Sequence, residues 1–541
     1  MDRRSLLLAV LACWPLRAQA PDLILVNGRM FTGVANRPFV EALAITGERI
    51  GAMGTSAAIR RLAGPSTRVI DLGGRMAAPG FNDAHTHFMP DWIGKTLQFD
   101  GLDPSCEDAL KRVRDAVRAE PPGTVITGAI GATAFFDDQC TPAKLSELAP
   151  KNPVMLRTWT PHAAMMNRAM SVKLGVDEQA LPVVGGFFGK SMRSAHWDGV
   201  VHEFAALRLY PQLFDRASEP DRMREFLNAA ARWGITSIQL MSAPNEPEHL
   251  VDLLSAIDPP IRVRVIPFPF TDRAGRLEPV YPQVPDRIAR RVRVEGVKWL
   301  LDGTPIERSA SLRQPYSDDP GWSGTMNFPD AELRAILSEA RARDTPLMVH
   351  AVGDRTIDAF LNAIDQDGGP AIWASRRVRI EHGDGILPDL IPRVRELGVV
   401  VVVNPTHLTL GPLALRRFGA DGVATRQPIR KLLQAGIPLA IGSDGEMNPF
   451  LNLMLASTYP ARPSDALTRE EAIQAYTATA AYAEFAEGQK GVLEPGKLAD
   501  IVVFSQDVLT ATAQELPKTR SVLTIVGGRI VYRDPVETKG R

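Results

Sequence analysis

The chain has 541 residues, 45% apolar and 23% charged, the balance of a folded globular protein rather than a disordered or repetitive one. Its 62 Lys and Arg cancel against 62 Asp and Glu, so no basic field exists to hold a phosphate backbone and nucleic acid is excluded as a partner. Three cysteines make no disulfide framework.

At the start of the chain, Asp2-Arg3-Arg4-Ser5 precedes an apolar run over 6–14 and then Ala18-Gln19-Ala20. A positive region, a short apolar region and an A-x-A site describe a secretory signal peptide over residues 1–20. The run is too short to cross a bilayer, which takes about 20 residues. The paired arginines before Ser-Leu-Leu also resemble a twin-arginine signal. An exported protein, periplasmic or secreted, with no membrane segment in its mature form is expected.

Residues 23–31 read as strand, Asn-Gly turn, strand, and residues 523–531 repeat the pattern at the far end. Residues 21–78 and 490–541 are therefore expected to build one composite β-domain, a small β-sandwich. Across 79–489 short apolar strands alternate with helical stretches, the mark of a parallel α/β core. Strands are expected to end at His87, Met241, Phe268, Leu301, Val352, His382, Asn404 and Asp444, the number that closes a (β/α)8 TIM barrel. Residues 90–230 then form a long insertion after the first barrel strand, with strand-like runs at 124–131 and 153–159.

The nine histidines are not scattered. His85 and His87 close the first strand at i and i+2, so both imidazoles point to one face and can grip one ion. His350, His382 and Asp444 each close a later strand, at the rim where barrel active sites are built. Lys298 lies inside the apolar run Val297-Lys298-Trp299-Leu300, an expensive place for a charge without a chemical reason. Singly, each of these is as well explained by packing. Together, five ligand-type residues and a lysine at strand ends of one core point to a metal centre.

Pro79-Gly80-Phe81-x-Asp83-x-His85-x-His87, Gly442-Ser443-Asp444 and Gly491-x-Leu493-x-Pro495-Gly496-Lys497-x-Ala499-Asp500 resemble the motifs of the amidohydrolase superfamily. His350-Ala-Val-Gly-Asp354-Arg355, Arg379-Ile-Glu-His382 and Asn404-Pro-Thr-His407 are similar to its family 3 branch, which includes N-substituted formamide deformylases. The resemblance runs from about residue 22 to residue 533. It implies a binuclear site: His85, His87 and Asp444 on one divalent ion, His350 and His382 on the second, and carbamylated Lys298 bridging them. It also implies a metal-bound hydroxide attacking a non-peptide C–N bond, an amide or an N-acyl or N-formyl bond, with Asp444 carrying the proton to the leaving amine. Zinc suits such ligands, and Mn, Fe or Co occupy similar sites. Cys106 and Cys140 lie in the insertion, which favours a lysine bridge over the cysteine bridge of some relatives.

The sequence departs from the family pattern at Gly445-Glu446 and at Thr477-Ala478-Thr479-Ala480. His162, from the insertion, and His407 are candidate substrate contacts, each also explained by packing. Glu203 reads as structural in preference to a substrate contact, Asp354-Arg355 as a helix cap in preference to a clamp for a substrate carboxylate, and His196, His202 and His249 carry no assigned role. Two rival readings use the same residues: a deaminase or a hydrolase of cyclic amides, lactones or esters, and a non-catalytic binding barrel. The intact ligand set argues against the latter. A small-molecule substrate is expected, and self-association is left open.

Overall fold

The computed structural model describes residues 20–535, so the expected export signal lies, but for its last residue, outside them. Eight short strands carry the centre of the fold: β1 Phe81–His87, β2 Ile235–Met241, β3 Arg262–Ile266, β4 Val297–Leu300, β5 Leu347–Ala351, β6 Arg379–His382, β7 Val400–Val403 and β8 Leu439–Ile441. Each coincides with an expected strand, β1, β2 and β6 ending on the expected residue. β3 stops short of Phe268 because Pro267 follows and has no N–H to give to a ladder.

The strands are parallel and lie in two sheets. β1, β2 and β3 are consecutive neighbours in one, with Val292–Val294 outside β3. β4 to β8 follow one another in the other. At the seams single backbone bonds pass between them, Asp444 N–H to His85 O at 2.9 Å and Lys298 N–H to Pro267 O at 2.9 Å. No closed ladder forms among the described residues, so the fold is mixed α/β.

Local sequence explains the elements. β7 is four consecutive valines, β-branched and buried on both faces as a central parallel strand must be. The helix Asp330–Ala342 before β5 buries Leu333, Ile336, Leu337 and Ala340, spaced i, i+3, i+4 and i+7. Asp330 and Glu332 in its first turn and Arg341 in its last complement the helix dipole.

A six-stranded sheet takes strands from both chain ends, Ile501–Phe504 running antiparallel to Met76–Pro79. The C-terminal hairpin forms as expected, Ser521–Val526 against Arg529–Arg533. The N-terminal one does not. Leu23–Val26 and Arg29–Phe31 are both strands, but they belong to different sheets. Asn27, with φ 55°, turns the chain from one sheet to the other, and the Gly28 and Arg29 N–H groups go to Glu41 O and Arg75 O. The two sheets share one apolar cluster, in which Leu25 and Leu43 meet Ile501 and Ile525.

Between β1 and β2 the chain builds a second six-stranded sheet, from Lys95–Thr96 to Val200–Glu203, with its own apolar cluster around Phe135, Leu156 and Met165. No helix among the described residues is long and apolar enough to cross a membrane.

Beneath the strands, at their N-terminal ends, sits a buried charge network. Glu484 accepts from Asn82 of β1 at 2.7 Å and from Lys490 at 2.7 Å, and pairs with Arg293. Burial pulls its carboxyl up, but Lys490, Arg293 and Arg264 outweigh that and hold it at about 2. A carboxyl held low stabilises the fold above the ordinary Glu range, and that contribution is lost as the pH falls toward 2. Glu484→Gln, which strands Lys490 without a counter-charge, is expected to cost about 3 to 5 kcal/mol at pH 7. Thermal melts should show the gap from wild type closing as the pH is lowered from about 4 toward 2; a gap independent of pH would refute the assignment.

Candidate metal centre

His85 and His87 project from β1 toward Asp444, the third residue after β8. The approach of β8 to β1 requires a glycine at 442, where a Cβ would lie 2.5 Å from His85 Cβ. Asp83 clips the seam: its Oδ1 accepts from the His85 and Ser443 N–H groups at 3.2 and 2.9 Å, and burial raises its carboxyl to about 6.

The tautomers of the two histidines follow from their partners. His87 Nδ1 is 2.6 Å from the Ala243 carbonyl, which only accepts, so Nδ1 carries the proton. His85 Nδ1 is 2.6 Å from Glu381 Oε2, a carboxylate fixed in turn by Arg379, whose Nε donates to Glu381 Oε1 at 2.8 Å. Both Nε2 lone pairs therefore face one another at 3.3 Å. Burial, reinforced by Lys298, pushes His85 well below the usual imidazole range and His87 down to about 4, so both are neutral at pH 7. Lys298 Nζ stands 2.9 Å from His85 Nε2, and the two lone pairs with the nearby Asp444 carboxylate form a donor set that fits a divalent ion.

Asp444 supplies the anion. Its Oδ1 lies 3.5 Å from His85 Nε2 and 3.7 Å from His87 Nε2, while Oδ2 lies 3.7 Å from His382 Nδ1 and 3.9 Å from His407 Nε2. Burial raises its carboxyl, but His85, His87, Lys298 and His407 pull it below the usual value, keeping it ionised. One carboxylate thus belongs to two ligand groups, His85–His87–Asp444 and His382–His407–Asp444. In the second, His382 Nδ1 is engaged at 2.8 Å by Asn404 Oδ1, whose Nδ2 donates to Gly442 O. The first group is the more nearly ready.

Lys298 is 2% exposed, its Nζ 2.9 Å from His85 Nε2 and 5.4 Å from the Phe268 ring centre. Burial lowers its ammonium to about 8. His350 stands beside His382, ring centres 4.5 Å apart, but its Nε2 faces Gly303 O at 3.4 Å and it joins neither group. His162 comes from the 95–203 sheet, 5.0 Å from the His350 ring, with Nδ1 2.9 Å from Glu203 Oε2. Burial lowers the His162 pKa and Glu203 more than reverses it. Asp384 similarly lifts His407 against burial, from 3.6 Å. His407, expected only as a substrate contact, is thus near enough to Asp444 to share an ion.

One expectation changes. Asp354 is not a cap: Gly353 holds that position, and the Asp354 carboxylate accepts from Arg426 at 2.6 Å and from the Arg313 N–H at 3.3 Å. Glu203 is fully buried with φ 53°, its Oε1 has no hydrogen-bond partner, and only a glycine fits at 303 beside it. Glu381 and Arg379, which set the His85 tautomer, carried no role in the sequence reading. A carboxylate behind a ligating histidine typically governs 10- to 100-fold in metal affinity. Glu381→Gln is expected to weaken Zn²⁺ binding by about that factor, read by competition against a chromogenic chelator, and unaltered affinity would remove Glu381 from the centre.

The chain is similar to known proteins over most of its length. The profile described as "Amidohydrolase family" matches residues 68–532. The protein LONG AFTER FAR-RED 3 of Arabidopsis thaliana is 27% identical over 94% of this chain and 91% of its own length. The N-substituted formamide deformylase of Arthrobacter pascens is 25% identical over 95% of this chain and 99% of its own. The crystal structure of an uncharacterized metal-dependent hydrolase from Pyrococcus horikoshii superimposes with a TM-score of 0.67 at 22% identity, covering 91% of this chain and 99% of that one. The chain belongs to the amidohydrolase family and is a hydrolase of carbon–nitrogen bonds other than peptide bonds.

Proposed function

We propose that the chain is an exported, metal-dependent amidohydrolase that cleaves a linear amide or N-acyl bond, with N-formyl amines as the first candidates. Its scaffold is an eight-stranded barrel, entered from the 90–230 side and carried on a composite β-sandwich. The observation that carries the reading is the pair of tautomer-locked Nε2 lone pairs of His85 and His87 facing one another beside the Asp444 carboxylate.

His85, His87 and Asp444 would hold the first divalent ion. His382 would hold the second with His407 on the same carboxylate, and His350 stands beside His382 with ring centres 4.5 Å apart. Such an ion, when bound, lowers the pKa of water and polarises a carbonyl. The remaining steps belong to the chain. Lys298, its ammonium lowered to about 8 by burial, reaches the neutral amine form that would capture carbon dioxide and release a proton to solvent, leaving a carbamate anion beside His85. Asp444, ionised and presenting one oxygen to each ligand group, accepts the proton of the attacking water and delivers it to the leaving amine. His162, held by Glu203, donates toward the substrate from the opposite wall. The similarity to the formamide deformylase over nearly its whole length supports the choice of bond.

Chelation followed by readdition of Zn²⁺ or Mn²⁺ should abolish and restore turnover in a panel spanning N-formyl amines, linear and cyclic amides, lactones, esters and amino-heterocycles. Activity indifferent to chelation would overturn the proposal, and activity confined to another bond would move it to that substrate class. Elemental analysis should find two ions per chain in the wild type and fewer in Lys298→Ala; equal content in both would remove the lysine bridge. Mass analysis of the exported protein should find residues 1–20 removed, and an intact N-terminus would overturn the signal assignment.

A further inference from the structure

The chain is neutral overall, yet Arg287, Arg290, Arg291 and Arg293 fall within seven residues, and Arg262 and Arg264 alternate on β3. Alternation puts the last two on one face, opposite Val263 and Val265, which join the apolar core. Folding gathers these groups around a cavity of ≈ 200 Å³ lined by Arg262, Arg264, Arg290, Arg291, Arg293 and Lys490, with Glu484 the one carboxylate among its lining residues. None of the candidate metal ligands lines it.

Most of these charges are engaged. Asp500 takes Arg262 through two bonds of 2.8 and 3.1 Å, and Glu484 takes Arg293 and Lys490. Arg291 and Arg290 are only loosely matched, by Asp258 at 3.6 Å and Glu48 at 3.8 Å, and the Arg290 side chain is 86% exposed. Arg264 is the exception in kind. It is 2% exposed, and its Nε, Nη1 and Nη2 all lack a hydrogen-bond partner. The nearest carboxylate oxygen, Glu295 Oε2, is 3.4 Å from Nε and is itself without a hydrogen bond. Burial lowers the guanidinium only to about 10, so it remains charged at neutral pH. Gly296 leaves it room, a Cβ there falling 3.2 Å from Nη2. A buried fork of unsatisfied donors is costly, and it matches the paired oxygens of an oxyanion.

We infer that this cavity binds a small oxyanion, a phosphate or a carboxylate, on the Arg264 guanidinium, with Arg290 and Arg291 on its solvent side. It lies toward the N-terminal ends of β2 and β3, away from the strand ends that carry His87 and Asp444, and is a site separate from the hydrolytic centre. The surplus charge sets the preference for an anion; the planar donor fork sets the preference for paired oxygens over a halide.

Calorimetry on the full chain at low ionic strength, with inorganic phosphate and separately with acetate, tests it. One saturable site is expected, with phosphate or acetate the tighter according to whether the natural ligand is tetrahedral or planar. Arg264→Met should weaken it at least about tenfold. Arg290→Glu, an exposed change that leaves the core intact, should weaken it about threefold. His87→Asn should leave it unchanged. Absence of saturable binding to both probes, equal binding in Arg264→Met, or loss in His87→Asn would overturn the inference. Should Arg264→Met fail to fold, unchanged binding in Arg290→Glu overturns it equally.

Discussion

The hydrogen bond between His85 Nδ1 and Glu381 Oε2 crosses the interior from β1 to β6, and the centre depends on it. It fixes which nitrogen of His85 carries the proton, and so leaves the other as a lone pair aimed at His87 and Asp444. Arg379 closes the arrangement by donating to both oxygens of Glu381 and to the Ala84 carbonyl on β1. A buried arginine and carboxylate are poor investments in stability taken alone. Here they hold one imidazole in a single orientation, as a ligand to a metal requires.

Backbone conformation does the complementary part. Strand alternation puts Arg379 and Glu381 on one face, which would send His382 to the other. His382 escapes by ending its strand at φ 73°, and Asp444 leaves β8 at φ 43°. Glu203, on the opposite wall, has φ 53°. Three of the groups that converge on the centre therefore sit in the left-handed region, uncommon for non-glycine residues and concentrated where structure serves chemistry. The packing around them must supply what the local chain does not.

Most of the eight strands are legible as short apolar runs ended by a polar residue, Gly or Pro, whereas β1, Phe-Asn-Asp-Ala-His-Thr-His, shows itself by its motif. His85, His87, His382 and Asp444 stand out as candidates because ionisable groups at strand ends are costly without a use, and Lys298 because it lies inside a buried strand. The same argument applied to Arg379 and Glu381, two charges alternating in an apolar strand, points to the support of His85, but the eye goes to the histidine beside them. The N-terminal hairpin misled because an Asn-Gly step reports a turn and not a partner: the strands it joins found longer-range pairings in different sheets. Asp354 misled because a carboxylate at a helix start has two uses, and the arginine that claims it, Arg426, is distant in the chain. That His407 rather than His350 joins Asp444 depends on the path the chain takes after β7, through the turn that starts at Pro405, which no local pattern encodes.

The sheet between β1 and β2 owns a separate apolar cluster, yet it delivers His162 and Glu203 to the pocket. Only one face of that sheet has a core of its own: Met155, Ala164 and Val201 on the other, with Phe204, join the core shared with β1 and β8. A change among Phe135, Leu156 and Met165 is cushioned from the central strands, whereas one at Ala164, Val201 or Phe204 presses on the core that carries His85 and Asp444. The outer half of the insertion is thus free to vary, while its inner half is bound to the same packing as the strands it covers.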